Sequence, residues 1–150
     1  MSEELIFLNS RTWFPTVYYV GAFRTKFFEE LRDNKIILGV KCHECNYVYI
    51  PPRSTCPRCF NRLSEWLPVS HQGIVVTYTT VYYDIRIPAI QPKKPPFTFG
   101  VIKLDGADTG LVHFIDQYHE QDLKVGMRVE AVFKDQRTGS ILDIEHFRPI

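Results

Sequence analysis

Four cysteines, Cys42, Cys45, Cys56 and Cys59, are the side chains whose type and spacing point most directly to chemistry. They form two Cys-x-x-Cys pairs, Cys42-His43-Glu44-Cys45 and Cys56-Pro57-Arg58-Cys59, with ten residues between them. Each pair can close a tight knuckle that aims two sulfurs at one ion. Two knuckles supply the thiolate tetrahedron that zinc prefers at a closed structural site. Asn46 follows the first knuckle, where the backbone often needs positive φ, and Asn tolerates that better than most residues. The competing readings are two disulfides, a rubredoxin-type iron centre, a degenerate site and a redox dithiol. Iron uses the same sulfur tetrahedron, so spacing leaves it open. A redox dithiol needs only one pair, with a helix after it. The expectation is one structural Zn2+ per chain. A site filled by four cysteines has no position for water or substrate, so it does no Lewis-acid chemistry and instead stabilises a segment too small to fold alone. His43, inside the first knuckle, is then a bystander.

The elements that must position these sulfurs are short. A strand over 36–41 leads into the first pair. A second over 47–50 is stopped by Pro51-Pro52, and residues 36–65 read as a zinc ribbon. Ahead of it, residues 1–35 read as a helical arm. Thr25 is the expected cap of a helix through residue 33, with Phe27, Phe28 and Leu31 on one face and Asn34 as its left-handed end. Trp13, Phe14, Val17, Tyr18, Tyr19, Val20 and Phe23 are more apolar surface than a lone helix buries. They pack either on the rest of the chain or on a partner. The partner-docking candidates are Trp13, Phe14, Tyr18, Tyr19 and Phe23.

Residues 66–150 read as a small all-β domain with strands over 74–83, 98–104, 111–115, 129–134 and 141–147. Turns fall at Asp105-Gly106 and Thr138-Gly139. Five strands with a longer connection over 116–124 fit an OB-fold barrel, with an SH3-like barrel as the competitor. The fold class expected is therefore mainly β with N-terminal helices: a rubredoxin-like four-cysteine ribbon followed by a five-stranded OB-fold. The connection over 84–96 runs to thirteen residues and holds Pro88, Pro92, Pro95 and Pro96 around Lys93-Lys94. A loop of that length is either functional or simply solvated.

Composition narrows the function classes. At 150 residues, 45% hydrophobic and 23% charged, the chain has the balance of a globular protein with one domain or two small ones. Aromatics reach 14%, which suits strands and interfaces. The net charge is +1: residues 1–63 carry nine Lys/Arg against six Asp/Glu, and residues 64–150 nine against eleven. A zinc tetrathiolate would add −2 to the first part, so neither part has the basic field of a nucleic-acid binder. No apolar run approaches a membrane span of about 20 residues. The acidic start Met1-Ser2-Glu3-Glu4 lacks a signal-peptide n-region, so the chain reads as cytoplasmic, where thiols stay reduced. The five histidines, His43, His71, His113, His119 and His146, sit in no catalytic motif; His113 reads as a satisfied strand residue, and His146 as sharing a face with Ile144. There is no phosphate loop, nucleophile elbow or His-Glu-x-x-His run, which points away from a free-standing enzyme.

Taken in order, the segments resemble one family. They are Phe27-Phe28-Glu29-Glu30-Leu31, Cys42-His43-Glu44-Cys45, Pro51-Pro52-Arg53, Cys56-Pro57-Arg58-Cys59, Trp66, the 73–78 strand, Pro96-Phe97, Val101-Ile102-Lys103-Leu104-Asp105-Gly106 and Gly126-Met127-Arg128-Val129. The chain is similar over nearly its whole length to the DUF35 family, acyl-CoA-associated OB-fold proteins with an N-terminal helical hairpin and a rubredoxin-like zinc ribbon. It departs from that pattern at Asn46 and at Ser70-His71-Gln72-Gly73, where the family tends to carry extra glycines, and its 84–96 loop is longer. The resemblance implies a non-catalytic accessory subunit, without catalytic residues of its own. It would dock on a thiolase-fold catalytic subunit in a hetero-oligomer and help bind or shield a CoA ester. Benzoylsuccinyl-CoA thiolysis in anaerobic toluene degradation is one such setting; an HMG-CoA synthase or a thiolase-like aldolase is the alternative partner. For the CoA ester, Arg53, Arg86, Lys93 and Lys94 suit phosphates, and Phe97 or Tyr82 suits adenine. The competing classes are a nucleic-acid-binding ribbon/OB module and a small independent acyl-CoA enzyme.

Overall fold

The computed structural model describes residues 18–83, 93–116 and 123–150. Helix α1 spans Gly21–Asn34, one turn longer at its start than expected. Thr25 is not its cap. Val20 holds that position with no side-chain cap, and the Thr25 hydroxyl donates back to the Gly21 carbonyl at 3.0 Å from inside the helix. The left-handed residue that ends α1 is Lys35 (φ 57°), while the Asn34 amide donates to Glu30 at 2.8 Å. Arg137 donates to the Arg32 carbonyl at 2.6 Å, placing a cation at the negative end of the helix. Phe27 and Leu31, one turn apart on one face, are fully buried. Residues 1–17 lie outside the described residues, so α1 is the one helix described of the expected N-terminal hairpin.

Three strands make the ribbon sheet: β1 (Ile37–Lys41), β2 (Val48–Tyr49) and β3 (Glu65–Val69), in the order β2-β1-β3 and all antiparallel. The sequence reading missed β3. Pro68 argues against a strand, yet it lies opposite Leu38 on a strand with one neighbour among the described residues, where a missing N–H is tolerated.

The remaining strands, β4 (Gln72–Val81), β5 (Phe97–Leu104), β6 (Leu111–Ile115), β7 (Arg128–Phe133) and β8 (Ile144–Pro149), close a barrel in the order β4-β5-β6-β8-β7. The parallel contact between β6 and β8, Ile115 with Phe147, is the OB-fold arrangement and rules out the SH3-like alternative. At Gly73 and Gly100 an added Cβ would overlap the carbonyls of Lys103 and Thr77, so glycine permits the close strand approach of so small a barrel. Residues 141–143 are not strand but a 3-10 turn, Ile141–Asp143. A bulge opposite Val132 and Phe133 then shifts the alternation of β8. Ile144 and Phe147 both point inward, and His146 is left half-buried with Nε2 3.7 Å from Asp116, so it does not share the Ile144 face.

One core joins these parts: Phe27 and Leu31 of α1, Ile37 and Ile50 of the ribbon, and Ile102 and Phe147 of the barrel belong to a single buried cluster. A polar seam reinforces it. The Asp108 carboxylate accepts from the Val48 N–H at 2.8 Å, and the Asp108 N–H donates to the Val48 carbonyl at 2.9 Å. The Thr109 hydroxyl accepts from the Ile50 N–H at 2.7 Å and donates to the Ile50 carbonyl at 2.8 Å.

Asp143 is buried and accepts from the backbone N–H groups of Thr138 (2.9 Å), Gly139 (2.7 Å) and Ser140 (3.1 Å). Burial opposes its charge, but these donors outweigh burial and hold its carboxyl below the usual value. A depressed folded value stabilises the protein fully above the unfolded pKa of about 3.9 and loses that contribution as pH falls through the folded one. Asp143→Asn is expected to lower unfolding free energy by ~1–3 kcal/mol at neutral pH. It should also flatten the fall in stability below about pH 4. Urea unfolding of both proteins across pH checks this; equal slopes in acid would refute it.

Candidate functional site

The two knuckles are near copies. In the first, the Cys42 N–H donates to the Tyr47 carbonyl at 3.0 Å and Asn46 takes φ 52°; in the second, the Cys56 N–H donates to Asn61 at 2.9 Å and Phe60 takes φ 60°. The positive φ expected after the first pair is present, and the second pair needs it equally. Asn46 suits that conformation. Phe60 does not: a side chain there costs about 1–2 kcal/mol. Phe60 is also 80% exposed. It was missed at the sequence level, although its place after Cys59 matches that of Asn46 after Cys45.

The four sulfurs lie within 4.8 Å of one another. Cys42 and Cys59 are 3.5 Å apart, and Cys45 and Cys56 3.9 Å. A tetrahedron with metal–sulfur bonds of about 2.3 Å has edges of about 3.8 Å, so the donor set fits one four-coordinate ion. None of the cysteines is in a disulfide. Buried Tyr49 reaches Cys56 Sγ with its hydroxyl at 3.2 Å. Burial resists ionisation of Cys56, but the Tyr49 hydroxyl and the backbone N–H groups of Cys59 and Arg58 overcome it and bring the thiol down to about 6. Cys45, hydrogen-bonded to Cys59 and desolvated, is pushed up to about 12. One thiol is thus favoured as thiolate and another opposed, and a cation among the sulfurs would favour the thiolate form of each. Burial, then the bond to Cys56, raises the Tyr49 phenol above its usual range, so it stays a donor to sulfur. His43 points away and meets Glu65 at 3.3 Å on the surface.

The other expected site residues separate. Lys93, Lys94 and Phe97 line one small cavity of about 140 Å³ with Pro96, Thr98, Ile115 and Asp116. The Lys93 ammonium sits 4.7 Å from the centre of the Phe114 ring. Arg53 is elsewhere, over the Tyr49 ring at 5.3 Å, and Arg86 lies outside the described residues. Tyr82 is exposed at the end of β4. Of the docking candidates, Trp13 and Phe14 lie outside the described residues, Tyr18 and Tyr19 are 80% and 85% exposed, and Phe23 stacks on Trp66 at 5.0 Å. His113 is 5% exposed, with its ring nitrogens bonded to the Ile141 carbonyl (3.0 Å) and the Phe114 N–H (2.9 Å). Burial lowers its pKa, and both ring nitrogens are satisfied by backbone groups.

Comparison with known proteins places this geometry. The family described as ChsH2, C-terminal OB-fold domain, matches residues 66–134. A DUF35 domain-containing scaffold protein of Methanocaldococcus jannaschii is 30% identical over 128 residues, 82% of this chain and 88% of that protein. Among solved structures, the Ltp2-ChsH2(DUF35) aldolase aligns over 89% of this chain and 98% of its own, with TM-score 0.67 and 18% identity. A DUF35 protein of unknown function from Sulfolobus solfataricus aligns over 86% and 84%, with TM-score 0.61 and 22% identity. Both structures share the fold.

Tyr49→Phe keeps the ring and removes the hydroxyl that reaches Cys56. It is expected to weaken metal retention about 10–100-fold, read by competition with a chromogenic chelator, while the far-UV spectrum stays unchanged. Equal retention would show that the hydroxyl does not tune the site.

Proposed function

The chain belongs to the DUF35 family, and on that footing we propose that it is a non-catalytic accessory subunit that docks on a thiolase-fold enzyme and helps hold or shield its CoA ester. The observation that carries the reading is where the cysteines and two buried polar side chains of the described residues go. The four cysteines face one another in a closed set, and His113 and Asp143 are consumed by backbone hydrogen bonds. The exposed side chains include the aromatic rings of Tyr18, Tyr19, Phe60, Tyr82 and Tyr83, which suit a subunit that binds a partner. The relative of 30% identity is itself described as a scaffold protein, and a structural neighbour as part of an aldolase with a second component. That aldolase favours a thiolase-like aldolase as the alternative partner.

Within this reading the ion is zinc, held by Cys42, Cys45, Cys56 and Cys59, one per chain and without an open position. It supplies folding energy to the ribbon and no chemistry on substrate. Lys93, Lys94 and Phe97 form the part of the surface suited to a CoA phosphate or adenine, since ammonium groups and a ring share one cavity. About 140 Å³ admits a phosphate or a single ring rather than a whole cofactor, so the partner must supply the rest of the site.

The protein, tagged and recovered from its native cells, is expected to bring down a thiolase-fold chain identifiable by mass. The isolated protein should show no thiolysis of acyl-CoA, with benzoylsuccinyl-CoA the first ester to assay. Turnover by the isolated chain would overturn the proposal. Elemental analysis is expected to give one zinc per chain, and chelation to cost roughly several kcal/mol of stability. A visible absorption band from bound iron would reassign the metal.

A further inference from the structure

The second knuckle carries two features that its role around the metal does not require. The first knuckle shows what the geometry needs: a residue at positive φ, met by Asn46. The second places Phe60 in the same backbone state, with its ring in solvent. A strained, exposed aromatic is unfavourable twice over for the isolated chain. Around it, residues 51–64 hold Arg53, Arg58 and Arg62 and no carboxylate. All three arginines are exposed, and none has an ion-pair partner among the described residues. Arg53 and Arg58 rest on the Tyr49 and Tyr47 rings at 5.3 and 5.0 Å, so their guanidinium groups are pre-positioned rather than free to sweep. The metal site beneath anchors the knuckle.

The geometry points to the Cys56–Asn61 knuckle as a docking knob, with Phe60 entering an apolar pocket on the catalytic protein partner and Arg58 and Arg62 meeting carboxylates at its rim. This rests on the accessory-subunit reading above and adds to it the surface used and the chemistry of its counterpart. Charge complementarity selects an acidic rim, and a central aromatic flanked by arginines is the composition of an interface hot spot. The positive φ projects the ring outward from a turn that the metal keeps rigid, so little ordering remains to be done on binding.

The test uses the metal-loaded full chain and the purified enzyme subunit that the wild-type protein captures. Phe60→Gly removes the ring and suits positive φ. It is expected to keep its metal content, to melt at or above the wild-type temperature, and to bind the subunit ~10–30-fold more weakly. Arg62→Glu is expected to slow association, most at low salt. If the wild-type chain binds the subunit and both variants bind it equally well, the knob is not the interface, and the accessory-subunit reading stands without it. If the wild-type chain captures no thiolase-fold subunit, that reading fails and takes this inference with it. Salt-sensitive wild-type binding to a fluorescein-labelled single-stranded oligonucleotide, lost in both variants, would assign the knob to nucleic acid and overturn the protein-docking proposal.

Discussion

The seam between Asp108-Thr109 and Val48–Ile50 fixes how the ribbon stands on the barrel. A two-residue strand such as β2 has little pairing energy of its own, and its outer edge would offer unpaired N–H and C=O groups to any passing chain. β1 satisfies one edge of β2, and two side chains from the β5–β6 turn satisfy the other. The same bonds that protect the edge thus join ribbon to barrel. Four hydrogen bonds in so short a stretch, backed by a shared apolar core under α1, leave the ribbon no hinge. Its orientation is part of the fold.

Rigidity at the seam would be wasted if the far end of the ribbon were soft. An ion among the four sulfurs would prevent that. Apart from Val40, Tyr49 and Leu63, few apolar side chains pack around the sulfurs. A cluster so small cannot meet the entropy of ordering two loops, whereas an ion held by four thiolates can. Tyr49 links the two ends: it sits in β2 beside the seam and aims its hydroxyl at Cys56. With the knuckles held in this way, the second would carry Phe60 in a conformation that a free loop would abandon.

Much of this was legible in residue order. Cysteine spacing brings four sulfurs together because each pair closes a knuckle. β-Branched and aromatic runs mark the barrel strands because each has a buried side, although the last strand begins three residues later than its run suggests. What sequence could not show was tertiary in origin. β3 was hidden by Pro68, which is tolerated because, among the described residues, no strand flanks it on its outer side. The start of α1 was misplaced because Thr25 looks like a cap, yet spends its hydroxyl on Gly21, while packing of Phe23 on Trp66 accompanies the helix further back. His146 was put on the wrong face because the bulge in the β7–β8 pairing breaks the two-residue period. The seam was invisible, since Asp108 and Thr109 read as ordinary turn residues until the strand they serve is placed beside them.

The β5–β6 hairpin turns these local solutions into one arrangement. Its turn, at Asp108-Thr109, holds the ribbon; its other end, where Thr98 pairs with Ile115, borders the Lys93–Phe97 cavity. Five residues of β6 at about 3.4 Å each set the two ends roughly 17 Å apart. A partner docked on the ribbon and a ligand group seated at the cavity, as proposed above, would therefore be held at a spacing set by strand length. No motion is needed to align them. That is the property an accessory subunit requires if it is to present surface to an enzyme and to that enzyme's substrate at once, and it comes from paired strands rather than from any reactive group.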